Sequence, residues 1–388
     1  MNVILFDDPQ IRLNLLPFTF TRPVAGIRVG ILTVAAKWEK WLGQPVSFKT
    51  EEYLQAKYPL RSEDDNLLIN GALCPDAGLV NTLKDLKSGT FLVKGARLLA
   101  ARNPQGEMNA TNTTEYAGDV TVIERPWRIF QENGNQIRAD FSLLTAHRKS
   151  AGITDPHTIV YGEENVFVEE GVTIRAARIN ALGGPVYIGP NAIIEEGAIM
   201  RGPFAICESG HLNMGAKMRG DTTVGPFSKV GGEVSNSVIF GYSNKAHDGF
   251  MGNSVIGEWC NLGADTNTSN LKNDYGEVTV YDAVAGDFVP TGRQFVGLFM
   301  GDHAKCSINT MFNTGTVVGV FCNLFGSGFP PRHVPSFSWG GAEGLVPYRI
   351  EKALRVAEAV MARRGVPLTE ADRALLAAIA EDAGASPA

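Results

Sequence analysis

The chain has 388 residues, 44% hydrophobic and 20% charged, with a formal net charge of −6, 43 glycines and five cysteines. That length exceeds one ordinary core and predicts two domains with a tail, and the acidic balance excludes a general nucleic-acid binder, which would present a basic face. The cysteines (Cys74, Cys207, Cys260, Cys306, Cys322) are scattered without a CxxC pair, which predicts buried free thiols in a reducing compartment.

Residues 1–125 alternate strand-like and helix-like pieces. Val3-Ile-Leu-Phe, Leu67-Leu-Ile-Asn, Phe91-Leu-Val-Lys and Val120-Thr-Val-Ile read as strands, while Ala36 to Leu42 and Glu51 to Lys57 read as helical. Interleaving of this kind predicts an α/β domain with parallel strands. The opening run Met1-Asn-Val-Ile-Leu-Phe-Asp-Asp lacks a basic start and is too short for a signal peptide. No apolar run approaches about 18 residues, so a cytoplasmic chain with no membrane span is expected. Residues 126–150, with Ile129, Phe130, Ile137, Phe141 and Leu144 at helical spacing, read as a connecting helix.

Residues 151–330 carry a different period. Ile188, Ile194, Met200, Ile206, Leu212, Met218, Val224 and Val230 recur every six positions. After Glu233-Val-Ser-Asn-Ser the repeat reads as resuming at Val238, passing through polar Asn244 and continuing at Phe250, Ile256 and Leu262. A second block holds Met300, Cys306, Phe312, Val318 and Leu324. A period of six fits short strands wound into a parallel β-helix, one face of a triangular prism per hexad. The polar stretch 268–295 between the blocks reads as a projecting loop, where repeat proteins often place function. In the tail, 331–388, Tyr348 to Arg364 reads as an amphipathic helix. A Thr369/Asp372 capping box opens a last helix to about Ala383. These helices are expected to cover the open end of the prism.

Two polar clusters interrupt the repeat. Asn244-Lys-Ala-His247-Asp-Gly-Phe250 is followed one coil later by Asn261-Leu-Gly-Ala264-Asp-Thr-Asn-Thr-Ser-Asn270-Leu-Lys272. A histidine near neutral pKa removes a proton from an attacking amine, and neighbouring amides orient a sugar and hold developing negative charge. The alternative is an asparagine and threonine ladder at the turns. In the second block His303 and Lys305 are placed to contact phosphates, while Asn309 and Asn313 read as corner-ladder residues.

The run Asn-Lys-Ala-His-Asp-Gly-Phe-Met-Gly-x6-Trp-x-Asn-Leu-Gly-Ala-Asp-Thr resembles the acetyltransferase half of the bifunctional N-acetylglucosamine-1-phosphate uridyltransferase/glucosamine-1-phosphate acetyltransferase family. The resemblance implies a left-handed β-helix that trimerises, although β-crossovers are otherwise almost always right-handed. It implies His247 as general base and Arg219 on the sugar phosphate, and Lys245 is expected to hold the phosphate with Arg219. The resemblance also implies Asn261 and Asn270 near the sugar phosphate and Ala264 by acetyl-CoA. From the residues themselves, Lys272 is expected on the substrate and His303 and Lys305 on the phosphates of the acyl-CoA. Phe250 stands where the family has a sugar-contacting Tyr. Gly231-Gly232 stands where a family Lys is expected.

Upstream, Arg12 and Leu16-Pro-Phe-Thr19-Phe-Thr-Arg22-Pro resemble the Pro-Leu-Thr-x-Thr-Arg-Pro segment of sugar-1-phosphate nucleotidyltransferases. This implies nucleotide contacts from Arg12, Thr19, Arg22 and Arg28 and a requirement for Mg²⁺ with a nucleoside triphosphate. The chain departs from the pattern at three points. No Gly-x-Gly-Thr precedes Arg12, Val24 replaces a Lys, and Ala72 follows Gly71 where the family has the metal-binding Asp. Asp7 or Asp8 would have to substitute as metal ligand, or else the arginines pair with nearby carboxylates.

The expected whole is a reduced nucleotidyltransferase-like α/β domain, a left-handed β-helix and C-terminal helices. The expected protein is a cytoplasmic homotrimer joining acyl transfer from acetyl-CoA onto an amino-sugar phosphate to nucleotidyl transfer. Its partners are small molecules, with no nucleic acid and no membrane. Two alternatives stand beside it: a nucleotidyltransferase whose β-helix serves trimerisation and regulation, and a sugar-nucleotide-binding protein without turnover.

Overall fold

A computed structural model of the chain describes residues 1–104 and 108–382. The N-terminal sheet has six strands in the order Ser47–Lys49, Asn2–Phe6, Asn66–Asn70, Arg97–Arg102, Thr90–Lys94, Thr113–Glu115. Asn2–Phe6 runs parallel to both neighbours, and Arg97–Arg102 is antiparallel to both of its own. Helices α1 (Pro9–Asn14), α2 (Val34–Leu42) and α3 (Ala77–Lys84) are capped by Asp8, Thr33 and Asp76, whose side chains accept from amides of each first turn. The segment Glu51 to Lys57, expected to be helical, forms only a 3₁₀ turn at Glu52–Leu54. The chain continues through turns, with Lys57 and Tyr58 N–H donating to the Leu54 carbonyl, and Pro59 stops it from extending further.

Helix α4 (Pro126–Thr145) starts with Pro at N1, where the missing N–H costs nothing. It lies across the β-helix, burying Ile129, Phe130 and Ile137. The β-helix itself is built from three sheets of nine, ten and eight strands, almost all in parallel register. It has the expected left-handed hexapeptide-repeat architecture. Ile188, Ile194, Met200, Ile206, Leu212, Met218, Val224 and Val230 all point into the prism, each at most 2% exposed.

Beyond Val230 the register differs from the expected one. Val224 pairs with Ile239 and Val230 with Lys245, fifteen residues on, where Ile188 pairs with Ile206 eighteen residues on. The interior positions are therefore Val234, Ile239, Lys245 and Met251, not Val238, Asn244 and Phe250. The main cause is the corner at Gly231-Gly232, where only three residues separate Val230 from Val234, two fewer than a full hexad step; one more residue is lost between Val234 and Ile239. Gly232 has φ +69°, and a Cβ there would lie 2.6 Å from the Gly249 carbonyl oxygen. Only glycine permits this approach.

The nine-stranded face is covered by α4 and the N-terminal domain. Val238, Phe240, Val255 and Phe299 turn outward into the same apolar cluster as Leu5, Phe18 and Trp38. The Phe18 ring sits 5.3 Å from that of Phe240. The excursion after Thr268 does not project freely. Its hairpin, Thr279–Asp282 paired with Asp287–Pro290, buries Val278 and Val280 in this shared core, and Asp282 pairs with Arg125. Alternating apolar residues make it a clasp between the two parts.

At the C-terminal end, Gly344–Pro347 pairs antiparallel with Ser338–Gly341 and closes the edge of the ten-stranded sheet. Helices α5 (Ile350–Ala362) and α6 (Glu370–Asp382) bury Ala353, Ala357, Leu375, Leu376 and Ile379 against Phe321, Phe337 and Leu54. Thr369 and Asp372 exchange the expected capping-box bonds. The expected end of α6 near Ala383 lies outside the described residues.

Candidate functional site

His247 lies on the corner between the ten-stranded and eight-stranded faces, exposed to solvent. Lys245 anchors that corner from inside. Its side chain occupies the interior position and donates from Nζ to the carbonyls of His247 at 2.6 Å and Asp248 at 3.1 Å. Burial lowers its pKa to about 8. This overturns the expected phosphate contact by Lys245, because its ammonium is directed at backbone carbonyls within the corner.

Strand pairing stacks Lys229, Asn244, Asn261 and Lys305 as one outward column on successive coils of the ten-stranded face. At about 4.8 Å per strand the two lysines stand about 14 Å apart along the column. Asn244 Nδ2 donates to Asn261 Oδ1 at 3.4 Å, and Arg364 Nη2 donates to Asn244 Oδ1 at 2.8 Å. With α5 as the opposite wall, these residues enclose a cleft of about 700 Å³ lined also by His247, Ala264, Ile308, Val360 and Arg363. Among the described residues none of Lys229, Lys305, Arg363 and Arg364 has an ion-pair partner, whereas most other basic side chains near the two domain junctions do. Lys305 Nζ donates to the His303 carbonyl at 2.9 Å but, unlike Lys245, also lines the cleft, and burial lowers its pKa to about 8. Burial and the adjoining Arg363 lower that of Arg364.

Of the expected site residues, His247, Asn261, Ala264 and Lys305 thus meet in one cleft. Arg219, Phe250, Asn270 and Lys272 do not line it. Arg219 is largely exposed on the eight-stranded face and reaches Glu233 at 3.4 Å. Phe250 is also on that face. Asn270 donates to Asn253 Oδ1 at 2.7 Å, a corner-ladder contact, and Lys272 donates to the Glu277 carbonyl at 3.2 Å in the root of the excursion.

His303 corrects another expectation. It belongs to a column of corner residues, Phe227, Tyr242, Trp259, His303, Phe321 and Phe337, all at φ between +53° and +62°. Their rings stack one on the next, with His303 4.4 Å from Phe321 and 6.1 Å from Trp259. Burial, with Lys305, Lys57 and Arg22 nearby, holds its pKa well below the usual histidine value. A neutral imidazole stacked in a ladder makes no ionic phosphate contact.

The N-terminal arginines are also committed elsewhere. Arg12 is buried and donates to Asp7 at 3.0 Å, to the Thr19 carbonyl and to Tyr53. Thr19 is fully buried and returns its hydroxyl to the Arg12 carbonyl. Arg22 pairs with Asp302 and Glu258 of the β-helix, and Arg28 donates to the carbonyls of Phe240 and Ile31. These contacts leave Arg12, Thr19, Arg22 and Arg28 turned inward, against their expected nucleotide contacts. Asp7 accepts from Arg12, Val24 N–H and Thr50, and Asp8 caps α1. Both oxygens of Asp7 are engaged, Oδ1 of Asp8 is held by the helix amides, and Ala72, where the family has its metal-binding Asp, is fully buried and offers no ligand, so these residues do not fit a Mg²⁺ site. Among the described residues no three His, Cys, Asp or Glu side chains gather as a metal site.

Lys229, Arg363 and Arg364 were not foreseen from the sequence. Lys229 becomes visible once the corrected register places it beside Asn244. Arg363-Arg364-Gly365 reads in sequence only as the basic end of a helix.

Residues 3–149 match the family described as sugar nucleotidyl transferase. The chain is 27% identical over 59% of its length to a bifunctional sugar-1-phosphate nucleotidylyltransferase/acetyltransferase of Sulfurisphaera tokodaii, covering 50% of that protein. It is 31% identical over 53% of its length to the bifunctional protein GlmU of Methanococcus vannielii, covering 42% of it. It is 25% identical over 47% of its length to the uncharacterized acetyltransferase YaiX of Escherichia coli, covering 78% of it. The chain therefore spans half or less of the first two relatives. These matches bear out the resemblance read from the sequence.

Proposed function

We propose that this chain is a sugar-phosphate transferase of amino-sugar nucleotide synthesis, with acyl transfer from acetyl-CoA in the cleft between the β-helix and α5. One observation carries the reading. An exposed histidine stands at the rim of a cleft whose four cations lack carboxylate partners, on a hexapeptide-repeat β-helix. His247 takes the proton from the amino group as its nitrogen attacks the thioester carbonyl. Backbone amides of the corner hold the tetrahedral oxyanion, the C–S bond then breaks, and the thiolate leaves and is protonated. Asn261 orients the acceptor, and the cations hold phosphate groups.

The nucleotidyl half of the reading is supported by the family match over residues 3–149 and by the names of the relatives. We derive no metal-dependent step for it, because Asp7, Arg12, Thr19, Arg22 and Arg28 are engaged in structural contacts and Asp8 caps a helix. A homotrimer fits the uncovered eight-stranded face, where Ile159, Tyr161 and Ile199 remain exposed, and the five buried free thiols fit a reducing, cytoplasmic setting. No helix among the described residues is long and apolar enough to cross a membrane.

The test incubates purified chain with acetyl-CoA and glucosamine-1-phosphate, and separately with UTP, Mg²⁺ and N-acetylglucosamine-1-phosphate. Release of thiol in the first and pyrophosphate in the second supports both halves. Pyrophosphate without thiol removes the acyl reading, and neither product leaves a binding protein.

A further inference from the structure

The cleft has two walls from distant parts of the chain. One is the Lys229, Asn244, Asn261, Lys305 column, rigid in the β-helix ladder. The other is the end of α5, which brings Arg363 and Arg364. Basic residues at a helix C-terminus usually serve the helix dipole. Arg364 instead reaches across the cleft to Asn244 Oδ1 at 2.8 Å, in surroundings that lower its pKa. In a chain of net charge −6, four cations without ion-pair partners around one cleft form a charge imbalance that a bound anion would satisfy.

The position of that wall is set by a third part of the chain. Helix α6 packs Leu375, Leu376 and Ile379 into the cluster that holds Leu54 of the N-terminal domain. Lys57, three residues further along the same segment, pairs with Asp372 of α6 at 2.8 Å. Thus the helix pair that walls the cleft is fastened at its far side to the N-terminal domain.

We propose that the cleft is an anion site completed in cis by the C-terminal helices, taking a ligand with at least two phosphate groups, and that the fastening at Lys57–Asp372 sets its affinity. Two lysines about 14 Å apart, with the arginine pair between the walls, suit separated phosphates better than one phosphomonoester. Arg364 would be both a specificity residue and a positioning residue, since it holds Asn244, which in turn holds Asn261. That the ligand is the phosphorylated end of the acyl donor rests on the function proposed above. The anion site itself does not.

The experiment titrates the full chain with inorganic pyrophosphate and with coenzyme A by calorimetry, at two salt concentrations. Wild type is expected to bind both, more weakly at higher salt. R363Q/R364Q should weaken both by roughly tenfold or more, a loss typical of removing charge-assisted hydrogen bonds. K229Q, on the rigid ladder, repeats the test where the helix variant misfolds. K57Q should weaken both probes several-fold and speed tryptic cleavage between α5 and α6, while R349Q at the other end of α5 should change neither. Wild type binding neither probe overturns the proposal, as do R363Q/R364Q and K229Q binding like wild type. Unchanged binding in K57Q overturns the fastening. Pyrophosphate binding that is lost in R363Q/R364Q, in a protein that releases no thiol from acetyl-CoA, upholds the anion site and removes the acyl donor as its ligand.

Discussion

Arg22 Nη2 donates to Asp302 Oδ2 at 2.6 Å, with both side chains 4% exposed. An arginine whose sequence setting resembles a nucleotide-phosphate contact is here a strut joining the N-terminal domain to a β-helix coil. Thr21 donates to the same carboxylate at 2.7 Å, and Asp302 also accepts from the Glu258 amide. Asp302→Ala would leave a buried guanidinium with only half-exposed Glu258 opposite, and breaking a buried pair from one side costs about 3–5 kcal/mol. Urea unfolding should register that loss. A cost below about 1 kcal/mol, within the range of exposed pairs, would refute the strut.

His303→Phe should extend the aromatic column rather than break it. Because its folded pKa is depressed, the native state holds fewer protons than the unfolded state below the ordinary histidine value of 6.5. Wild-type stability therefore falls as pH drops through about 6.5. The phenylalanine variant should lose that component, melt higher than wild type at pH 5, and keep its affinity for coenzyme A. Weaker coenzyme A binding in a well-folded His303→Phe protein would restore the phosphate contact.

Lys305 gives a pH dependence of opposite consequence for binding. Its pKa of about 8 means the cleft loses a cation between neutral pH and pH 9. Anion affinity should fall across that window, and Lys305→Gln should bind weakly with a flatter profile. For stability the sign is reversed. The native state sheds the proton first, so stability attributable to Lys305 rises from about pH 8 towards 10.5. A wild-type binding profile flat from pH 7 to 9 would count against Lys305 as a ligand of the anion.

Gly232→Ala tests the corner that sets the register. An alanine at φ +69° is strained, and its Cβ would meet the Gly249 carbonyl oxygen and Asp248 Cα. We expect destabilisation of more than about 1 kcal/mol and reduced acyl transfer, because the displaced segment carries His247. An alanine variant as stable as wild type would mean that the corner is not tightly constrained.

Much of the fold was legible because the hexad period is a local property of the chain. Ile188 to Val230 needed only counting. The register beyond Gly231-Gly232 was not, since a corner shortened by a glycine pair can resume at either of two adjacent apolar residues, Val238 or Ile239. Only packing against Phe18 and its neighbours turns Val238 outward. That one-residue difference hid the column of Lys229, Asn244, Asn261 and Lys305, and it made Lys245 look solvent-facing. His247, Asn261 and Ala264 were found because their motif is contiguous. Arg363 and Arg364 lie about a hundred residues away, and nothing local distinguishes an arginine that caps a helix from one that lines a cleft. Likewise, whether Arg12 and Arg22 meet phosphate or carboxylate depends on Asp7 and on Asp302, a contact across 280 residues.

The central claim is that His247, at the rim of the cleft, removes the amine proton in acyl transfer. The most direct measurement is thiol release from acetyl-CoA with glucosamine-1-phosphate as acceptor, comparing wild type with His247→Ala at matched thermal stability. The account predicts a loss of roughly 10²- to 10⁴-fold in kcat, the usual contribution of a general base, with coenzyme A affinity preserved. Full turnover by a folded His247→Ala protein would contradict it.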